Sequence, residues 1–569
     1  MLAKITRLDR RATAALLYAG AQAAFVVFVF LPAVVYFFNT AFVEYPLIDH
    51  YVFAFPIAVL ISVIPLAVAV IPRAPRRLIL SVCRFVVTYV VIASIFFPSS
   101  TPALDGEEQF ADILSAASIQ SHLVLGILAV AIIVALSRWP DQTKTLSHAM
   151  FVAATAFVAY TVISDSKQED PDTRDLVKQD IERLVTYSSQ RNTLIILMDT
   201  FQGDVFAEIL AEDKDLARQF EGFVYYPNIT SASPYTLAAI PAIYSGRLYG
   251  GGPVREFYRE VYRDSIFSDA READYTSSLY GYYYFDCPAD TCVKLPVLLK
   301  GLVRTILASY LGLIDYGLMR VSPVSLHPHI YQGGLGLLKQ LTSSHETIDS
   351  LHGLERFIDR SRVDDVPPTF KFVHIKNTHS PININEECRL DPDRERTRLN
   401  YRIQARCGID VFLRLLASLK RSSIYDGSLL VLLSDHGASI PAPSQSHVHV
   451  LDHNVRLHGG RSGRFLPLLL VKPPGSSGPL KISRAPASLI DLRATICEAT
   501  KTCAPPPNGV SVLSLSEHAS RKRTFIEYLS PGGVAKRNGL RPEDIQTFSL
   551  SGSVEDLDQV RDSAGRPLR

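Results

Sequence analysis

Arg191-Asn192-Thr193-Leu194-Ile195-Ile196-Leu197-Met198-Asp199-Thr200-Phe201-Gln202-Gly203-Asp204 is the stretch on which the reading of this chain turns. An apolar run, Thr193–Met198, stops abruptly at Asp199. A continuous apolar run bounded by polar residues is the pattern of a strand buried on both faces, and such strands belong to parallel sheets. Asp199 then stands where the strand leaves the sheet, and ligands of open α/β sheets bind outside those carboxyl ends. The pattern recurs at Ser428–Leu433, which is followed by Ser434, Asp435, His436 and Gly437. Either aspartate alone reads as a helix or turn cap. Together they predict two carboxylates and an imidazole at one sheet edge, a ligand set suited to a divalent metal such as zinc.

From about Arg191 to Tyr528, strand-like and helix-like segments alternate. That predicts an α/β domain with a mainly parallel central sheet between helices. The predicted strands are Thr193–Met198, Phe223–Tyr226, Tyr280–Phe285, Phe370–Ile375, Ser428–Leu433, Phe465–Val471 and Thr524–Tyr528. Ser233 followed by Pro234 is a helix start signal, with serine as N-cap and proline at the first helical position. Thr236 then falls in the first turn, beside free backbone N–H groups and the positive end of the helix dipole. A metal there would turn its hydroxyl into a nucleophile; a plain surface threonine is the alternative. His379 follows the strand Phe370–Ile375 at the same sheet edge, placed to bind an anionic substrate or to protonate a leaving group. His458, ahead of Phe465–Val471, is a similar candidate. His447, His449 and His453 read either as a rim or as ligands of a second metal.

The chain is long, 569 residues, with formal net charge +2, mean hydropathy +0.14 and 20% charged residues. So small a net charge gives no reason to expect an acidic polymer, nucleic acid included, as partner. Five apolar runs crowd the first third: about Ala14–Phe38, Val52–Ile71, Leu78–Phe97, His122–Leu136 and Ala149–Ile163. A spanning helix needs about 20 such residues, so residues 1–163 read as an all-α membrane domain of five transmembrane helices. A signal peptide is the competing reading of the first run, but that run is too long for one and more spans follow it. Lys4, Arg7, Arg10 and Arg11 precede the first run; Arg73, Arg76 and Arg77 follow the second; Arg138 and Lys144 follow the fourth. The other two connections carry Glu44 and Asp49, and Asp105, Glu107, Glu108 and Asp112, with no Lys or Arg. This alternation predicts a cytoplasmic N-terminus in the inner membrane and everything after Ile163 on the periplasmic or extracellular side.

Cysteine usage supports that orientation independently. Of seven cysteines, Cys83 lies in the third run, and the others fall into close pairs: Cys287/Cys292, Cys388/Cys407 and Cys497/Cys503. Local pairs on the exported side read as three disulfides. Residues 164–190 read as a connector near the membrane surface, with an amphipathic helix over Thr173–Val185. The external domain is expected to cover 191–528, and 529–569 to be a polar tail, partly disordered. Leu302–Leu318 is apolar enough to lie on the membrane, although the domain pattern favours a core helix.

With these residues in place the chain resembles the alkaline phosphatase superfamily, in its sulfatase-like branch. Within that branch it is similar to membrane phosphoethanolamine transferases and to lipoteichoic acid synthase-type phosphoglycerol transferases. The resemblance covers the whole plan of five spans, connector and external α/β domain. The family's acidic metal ligand at the end of the first strand is matched by Asp199. Its threonine nucleophile, five residues before a proline and after an Asn-x-Thr-Ser stretch, is matched by Asn228, Thr230, Ser231, Thr236 and Pro241. Its Asp-His-Gly metal motif is matched by Asp435, His436 and Gly437, its His-x-Pro substrate loop by His379 and Pro381, and its later His-Gly by His458 and Gly459. Both transferase groups usually have glutamate at the place of Asp199. The phosphoethanolamine transferases carry cysteines where Ala232 and Ala242 stand, and glutamate where Ala438 stands. The Cys/Ser-x-Pro-x-Arg frame of sulfatases is missing at Thr236–Ile240.

The resemblance implies a metal, zinc first and manganese or magnesium after it, held by Asp199, Asp435 and His436 with Thr236 as a further ligand. It implies two-step transfer of a phospholipid-derived head group, phosphoethanolamine or phosphoglycerol, through phospho-Thr236 to an envelope glycan or lipid. His379 and His458 would bind the phosphate or protonate the leaving oxygen. The alternative is a membrane-bound sulfatase-like hydrolase, a phosphodiesterase or sulfuric ester hydrolase. A catalytically dead scaffold relative is a third reading, against which the intact Thr–Asp–Asp–His set stands.

Overall fold

The computed structural model describes residues 10–40, 43, 46–71, 75–97, 116–166, 173–281, 287–288, 290–293, 302–332, 336–342, 346–441, 447–503, 506, 508–528 and 540–568. The chain divides into two compact units, Met1–Thr173 with Gly301–Ser344, and Arg174–Lys300 with His345–Arg569.

The first unit is all-helical. Five of its helices are long and apolar enough to cross a membrane: α1 (Arg10–Phe38), α2 (Leu47–Ala69), α3 (Arg76–Phe96), α4 (Ile119–Arg138) and α5 (Pro140–Asp165). They match the five apolar runs and mark a membrane anchor. Their shared core includes Phe30, Leu31, Val34, Leu47, Ala54 and Val91. The same core takes in Tyr310, Leu313 and Ile314 of the helix Leu302–Val321. A core helix of the α/β domain was the favoured expectation for this segment, and that expectation is corrected here. An apolar helix face can be covered by any apolar surface, and its own sequence does not say which one.

The second unit is built on an eight-stranded sheet. In chain order its strands are β1 (Asn192–Met198), β2 (Val224–Tyr225), β3 (Thr276–Tyr280), β4 (Cys292–Val293), β5 (Thr369–Ile375), β6 (Leu429–Leu433), β7 (Leu469–Lys472) and β8 (Lys481–Ile482). Across the sheet they run β8-β2-β7-β6-β1-β5-β3-β4. Only β7 is antiparallel to its neighbours. The other adjacent pairs are parallel, as the apolar runs predict. Along β1, Leu194, Ile196 and Met198 enter one core and Ile195 and Leu197 the other. Both faces of this strand are therefore covered, which is why it is purely apolar from Leu194 to Met198.

Three boundaries differ from expectation. The strand expected at Tyr280–Phe285 ends at Tyr280 in β3, and residues 282–286 lie outside the described ones. The chain turns at Gly281, where φ is +111° and a Cβ would lie 2.1 Å from the His374 carbonyl oxygen. The strand expected from Phe465 begins only at Leu469, because Pro467 has no N–H to give to a ladder. Arg523–Tyr528 lies outside the central sheet and pairs antiparallel with Ile545–Leu550. Residues 540–568, expected as a partly disordered tail, thus belong to the fold, and Phe548, Leu550 and Leu557 share a small core with Phe465 and Phe525.

All three expected cysteine pairs, Cys287–Cys292, Cys388–Cys407 and Cys497–Cys503, are disulfides, and Cys83 is free and buried. Cys407, bonded as expected, is also a residue of the hydrophobic core. It lies inside the helix Arg398–Arg421 and is buried in the same core as Val411, Phe412 and Leu415 of that helix. The reason is the helical period: Val411 and Leu415 follow Cys407 at steps of four, so all three share the face turned to the sheet. Cys292 is likewise buried, in the core on the other side of the sheet. Spacing reveals which cysteines bond but not how deeply they lie. The connector helix Thr173–Val185 is present, but its end is pinned into the second unit. Leu184 and Val185 lie in the core there, and the Lys371 ammonium donates to the Arg183 carbonyl at 2.7 Å.

Candidate functional site

Register brings the site together. Leu197 of β1 pairs with His374 of β5 on one side and with Leu433 of β6 on the other. Two residues further on, Asp199 and Asp435 leave the sheet side by side. Asp199, Asp435 and His436 are all buried, and each offers a ligand atom within 4.8 Å of the other two. Gly437 is required by space, since a Cβ there would lie 2.1 Å from the Gly463 carbonyl oxygen.

The hydrogen bonds leave the right atoms turned inward. His436 Nδ1 faces the Gly437 carbonyl at 2.8 Å, so it carries the proton and Nε2 offers a lone pair. That Nε2 lies 3.4 Å from Asp435 Oδ2 and 3.3 Å from Thr236 Oγ1. Ligands held tetrahedrally about 2.0–2.1 Å from one ion stand about 3.3 Å apart. Asp435 Oδ1 accepts from the Thr200 and His436 N–H groups at 3.0 and 2.9 Å. Its Oδ2 is buried and has no hydrogen-bond partner among the described residues. Two buried carboxylates this close repel each other unless a cation lies between them. On these observations the residues fit a divalent metal ion.

Asp199 is held from behind. Its Oδ2 accepts from His374 Nε2 at 3.0 Å and its Oδ1 from the Thr200 hydroxyl at 2.7 Å. Burial alone would raise its carboxyl. The His374 hydrogen bond and the neighbouring His379, His374 and His436 outweigh that and hold it below the usual carboxylate range. Thr200 links the two carboxylates from a left-handed backbone, φ +67°, a conformation costing a β-branched residue about 1–3 kcal/mol. Tyr401 keeps it there by donating its hydroxyl to the Thr200 carbonyl at 2.6 Å.

Thr236 opens the helix Thr236–Ser245, whose N-cap is Tyr235 and has no side-chain cap. Ser233 was expected as that cap. Instead the buried Arg464 guanidinium binds the Pro234 carbonyl at 3.1 and 2.6 Å, so the chain stays extended and the helix starts later. Its uncapped first turn, with the dipole behind it, faces the position of an anion bound at Thr236. Thr236 is half-buried, as are Tyr235 and Leu237, so its hydroxyl is reachable.

His379 is buried, and its Nδ1 donates to the Ser380 carbonyl at 2.7 Å. The preceding Thr378 donates its hydroxyl to the Asp199 carbonyl at 2.6 Å, which puts this loop at the site edge. His379→Ala is expected to lower kcat/KM about ten- to hundred-fold, the worth of one charge-assisted hydrogen bond. Metal content, read by elemental analysis, should stay unchanged, and depletion would move His379 among the metal ligands. His458 is gripped by its backbone. Its N–H donates to Asp204 at 2.5 Å, and its carbonyl accepts from Gln202 and Arg398 at 2.9 and 3.0 Å. Both ring nitrogens are buried with no hydrogen-bond partner among the described residues, as a ring that waits for a ligand would be. Burial lowers its imidazole pKa. His447, His449 and His453 do not converge. The hairpin pairs His449 with Asn454 and Val450 with His453, which puts His453 on the opposite face from the other two.

Sequence reasoning missed His374, Thr200, Arg398 and Gln202. Only His374 left a signal, as a polar residue inside the buried run Phe370–Ile375. The others gain their roles through long-range contacts.

No family model matches this chain, and no curated protein matches it. Similar solved structures include a phosphonate monoester hydrolase from Silicibacter pomeroyi, 16% identical, covering 66% of this chain and 90% of its own at a TM-score of 0.38. The lipoteichoic acid synthase LtaP from Listeria monocytogenes is 13% identical, covers 62% and 83%, and scores 0.33. A protein in the alkaline phosphatase superfamily from Vibrio parahaemolyticus is 14% identical, covers 70% and 91%, and scores 0.38. At such scores these likenesses carry no weight for chemistry, which the site's own geometry has to supply.

Proposed function

We propose that the chain is a membrane-anchored, metal-dependent phosphotransferase working through a phospho-threonine intermediate. The observation that carries this reading is the Thr236 hydroxyl, 3.3 Å from His436 Nε2 at an uncapped helix N-terminus and next to a buried carboxylate pair. Asp199, Asp435 and His436 would hold the metal, with Thr236 as a further ligand. When bound, a divalent cation acidifies a hydroxyl and offsets phosphate charge.

In the first step Thr236, its hydroxyl proton released to solvent, attacks the phosphorus of a phospholipid head group through the Oγ alkoxide. The Oγ–P bond forms, the bond from phosphorus to the diacylglycerol oxygen breaks, and His379 or His458 gives that oxygen a proton. In the second step a hydroxyl of an envelope glycan or lipid gives its proton back to that histidine and attacks the same phosphorus, the phosphorus–Oγ bond breaks, and Thr236 leaves as the alkoxide. The helix N-terminus stabilises the charge that develops on the phosphoryl oxygens. The head group is phosphoethanolamine or phosphoglycerol. A membrane anchor suits a lipid donor, since it keeps the enzyme at the donor's surface.

Mass spectrometry of the trapped intermediate tests this directly. With phospholipid and no acceptor, the Thr236 peptide is expected to gain the mass of one phospho-head group. Turnover without such a gain would overturn the reading. Acceptor-dependent release would separate transfer from hydrolysis. The loop charges further predict an extracytoplasmic α/β domain with six oxidised cysteines. A C-terminal alkaline phosphatase fusion should be active, and an inactive one, with a cytoplasmic reporter active at the same point, would reverse the topology.

A further inference from the structure

The segment Leu302–Val321 and the residues behind it belong to the helical unit, although the chain enters and leaves them from the α/β unit. Its level along the bundle follows from its partners. Tyr310 Oη donates to the Phe28 carbonyl at 2.8 Å. A Cβ on Gly317 would lie 2.5 Å from Leu31 Cγ. The Arg320 guanidinium lies 4.7 Å from the Phe38 ring centre, and its Nε donates to the Ser94 carbonyl at 2.8 Å. His50 Nε2 and Ser309 Oγ share a 2.9 Å hydrogen bond. From Phe28 to Phe38, α1 rises about 15 Å. The helix therefore lies against one end of α1, α2 and α3, within the last few turns of α1 and α3 and the first turn of α2.

Behind this helix the chain folds back along it. The buried Asp315 carboxylate accepts from the Leu338 and Lys339 N–H groups at 2.9 to 3.0 Å. Arg304 Nε donates to the Thr342 carbonyl. This return brings Leu341, 74% exposed, to the corner occupied by Val303, 66% exposed. Leu337 is exposed on the same return, Arg304 is exposed next to Val303, and the Lys339 stem lies along the helix, its Cδ 3.6 Å from where a Cβ on Gly312 would stand. At the other end Leu326 is exposed beside Ser325, whose hydroxyl is 2.7 Å from His122 Nε2 on α4. There it continues the uncovered apolar face of α4 at Ile119 and Leu123.

An element packed at this level, whose Leu326 end continues a helix face that length and composition assign to lipid, has a lipid as the natural occupant of its exposed apolar corner. Flanking cations suit a phosphate plane, because Arg and Lys stems lie along apolar surface while their heads reach outward. We propose that 302–332 and 336–342 belong to a re-entrant membrane element whose Val303–Leu341 corner sits in the acyl region of a phospholipid leaflet, with Arg304 and Lys339 at its phosphates.

The test uses the full chain in nanodiscs of phosphatidylcholine and phosphatidylglycerol. Photoreactive benzoylphenylalanine is placed at 303, at 341, or at Leu399, an exposed leucine of the α/β unit. Phospholipid adducts are expected at 303 and 341 and not at 399. Equal adduct yields at 341 and 399, or Leu341→Cys reacting with a membrane-impermeant maleimide as fast as Leu399→Cys, would overturn the proposal. A second arm rests on the proposed function. Val303→Glu with Leu341→Glu should lower turnover of a bilayer donor about tenfold, with a water-soluble phosphodiester unaffected, because only remote binding is lost. A wild-type chain inert toward both substrates would sink the functional reading alone, and the adducts would still decide the lipid contact.

Discussion

Thr236→Ala is expected to lower turnover by a factor on the order of 10⁴ or more, since removing a nucleophile that acts as a unit with its activating groups removes the covalent route. The substitution is small and sits at the first position of a helix, where alanine fits without strain. Fold, disulfides and metal content should therefore survive. Three measurements separate this from general damage: circular dichroism, elemental analysis, and the mass of the 236-containing peptide after incubation with donor. Thr236→Ser keeps a hydroxyl and should keep part of the activity together with the adduct. A Thr236→Ala enzyme with more than a few per cent of wild-type turnover would remove this residue from the mechanism, and with it the phospho-threonine.

Asp435→Asn and His436→Ala are each expected to lose the metal and the activity together. Both side chains are completely buried. Asn at 435 keeps the volume but not the charge. If its oxygen accepts from the Thr200 and His436 N–H groups, its NH₂ replaces the oxygen that faces His436 Nε2, and an amide NH₂ is no metal ligand. Ala at 436 removes the nitrogen that faces both Asp435 and Thr236. His374→Ala provides the contrast. It touches Asp199 only from behind, and losing such a supporting hydrogen bond typically costs about 10–100-fold in metal affinity. The His374 variant should therefore refill at high metal concentration, while the other two should not. Stoichiometric metal in purified Asp435→Asn and His436→Ala would mean that the ligand set lies elsewhere.

The strength of both predictions comes from how the site is supported. Neither carboxylate is placed by its own loop alone. Thr200 bridges them from a strained backbone, Tyr401 locks Thr200, and a buried cluster of Asp204, Gln202 and Arg398 grips the peptide of His458. Strain and buried charge persist at functional sites when the surroundings over-determine them.

Much of this protein is decided by its sequence alone, wherever the information is local. The apolar runs at Thr193–Met198 and Ser428–Leu433 carry the period and ends of doubly buried strands, so Asp199 and Asp435 are legible as neighbours at a sheet edge. The five spans follow from length and hydropathy, and the three disulfides from the closeness of their cysteines. Tertiary structure decides the rest, because it depends on which distant surface covers a given face. The apolar face of Leu302–Val321 is satisfied equally well by a domain core or by a helical bundle, and only packing selects the bundle. Residues 540–568 look polar and acquire a fold because Arg523–Tyr528 offers them a strand edge. Ser233 carries the right signal for a helix cap and is overruled by Arg464, more than two hundred residues away. The left-handed turn at Thr200 has only one local partner, Asp199; the others, Asp435 and Tyr401, each lie more than two hundred residues away and bind its N–H and its carbonyl.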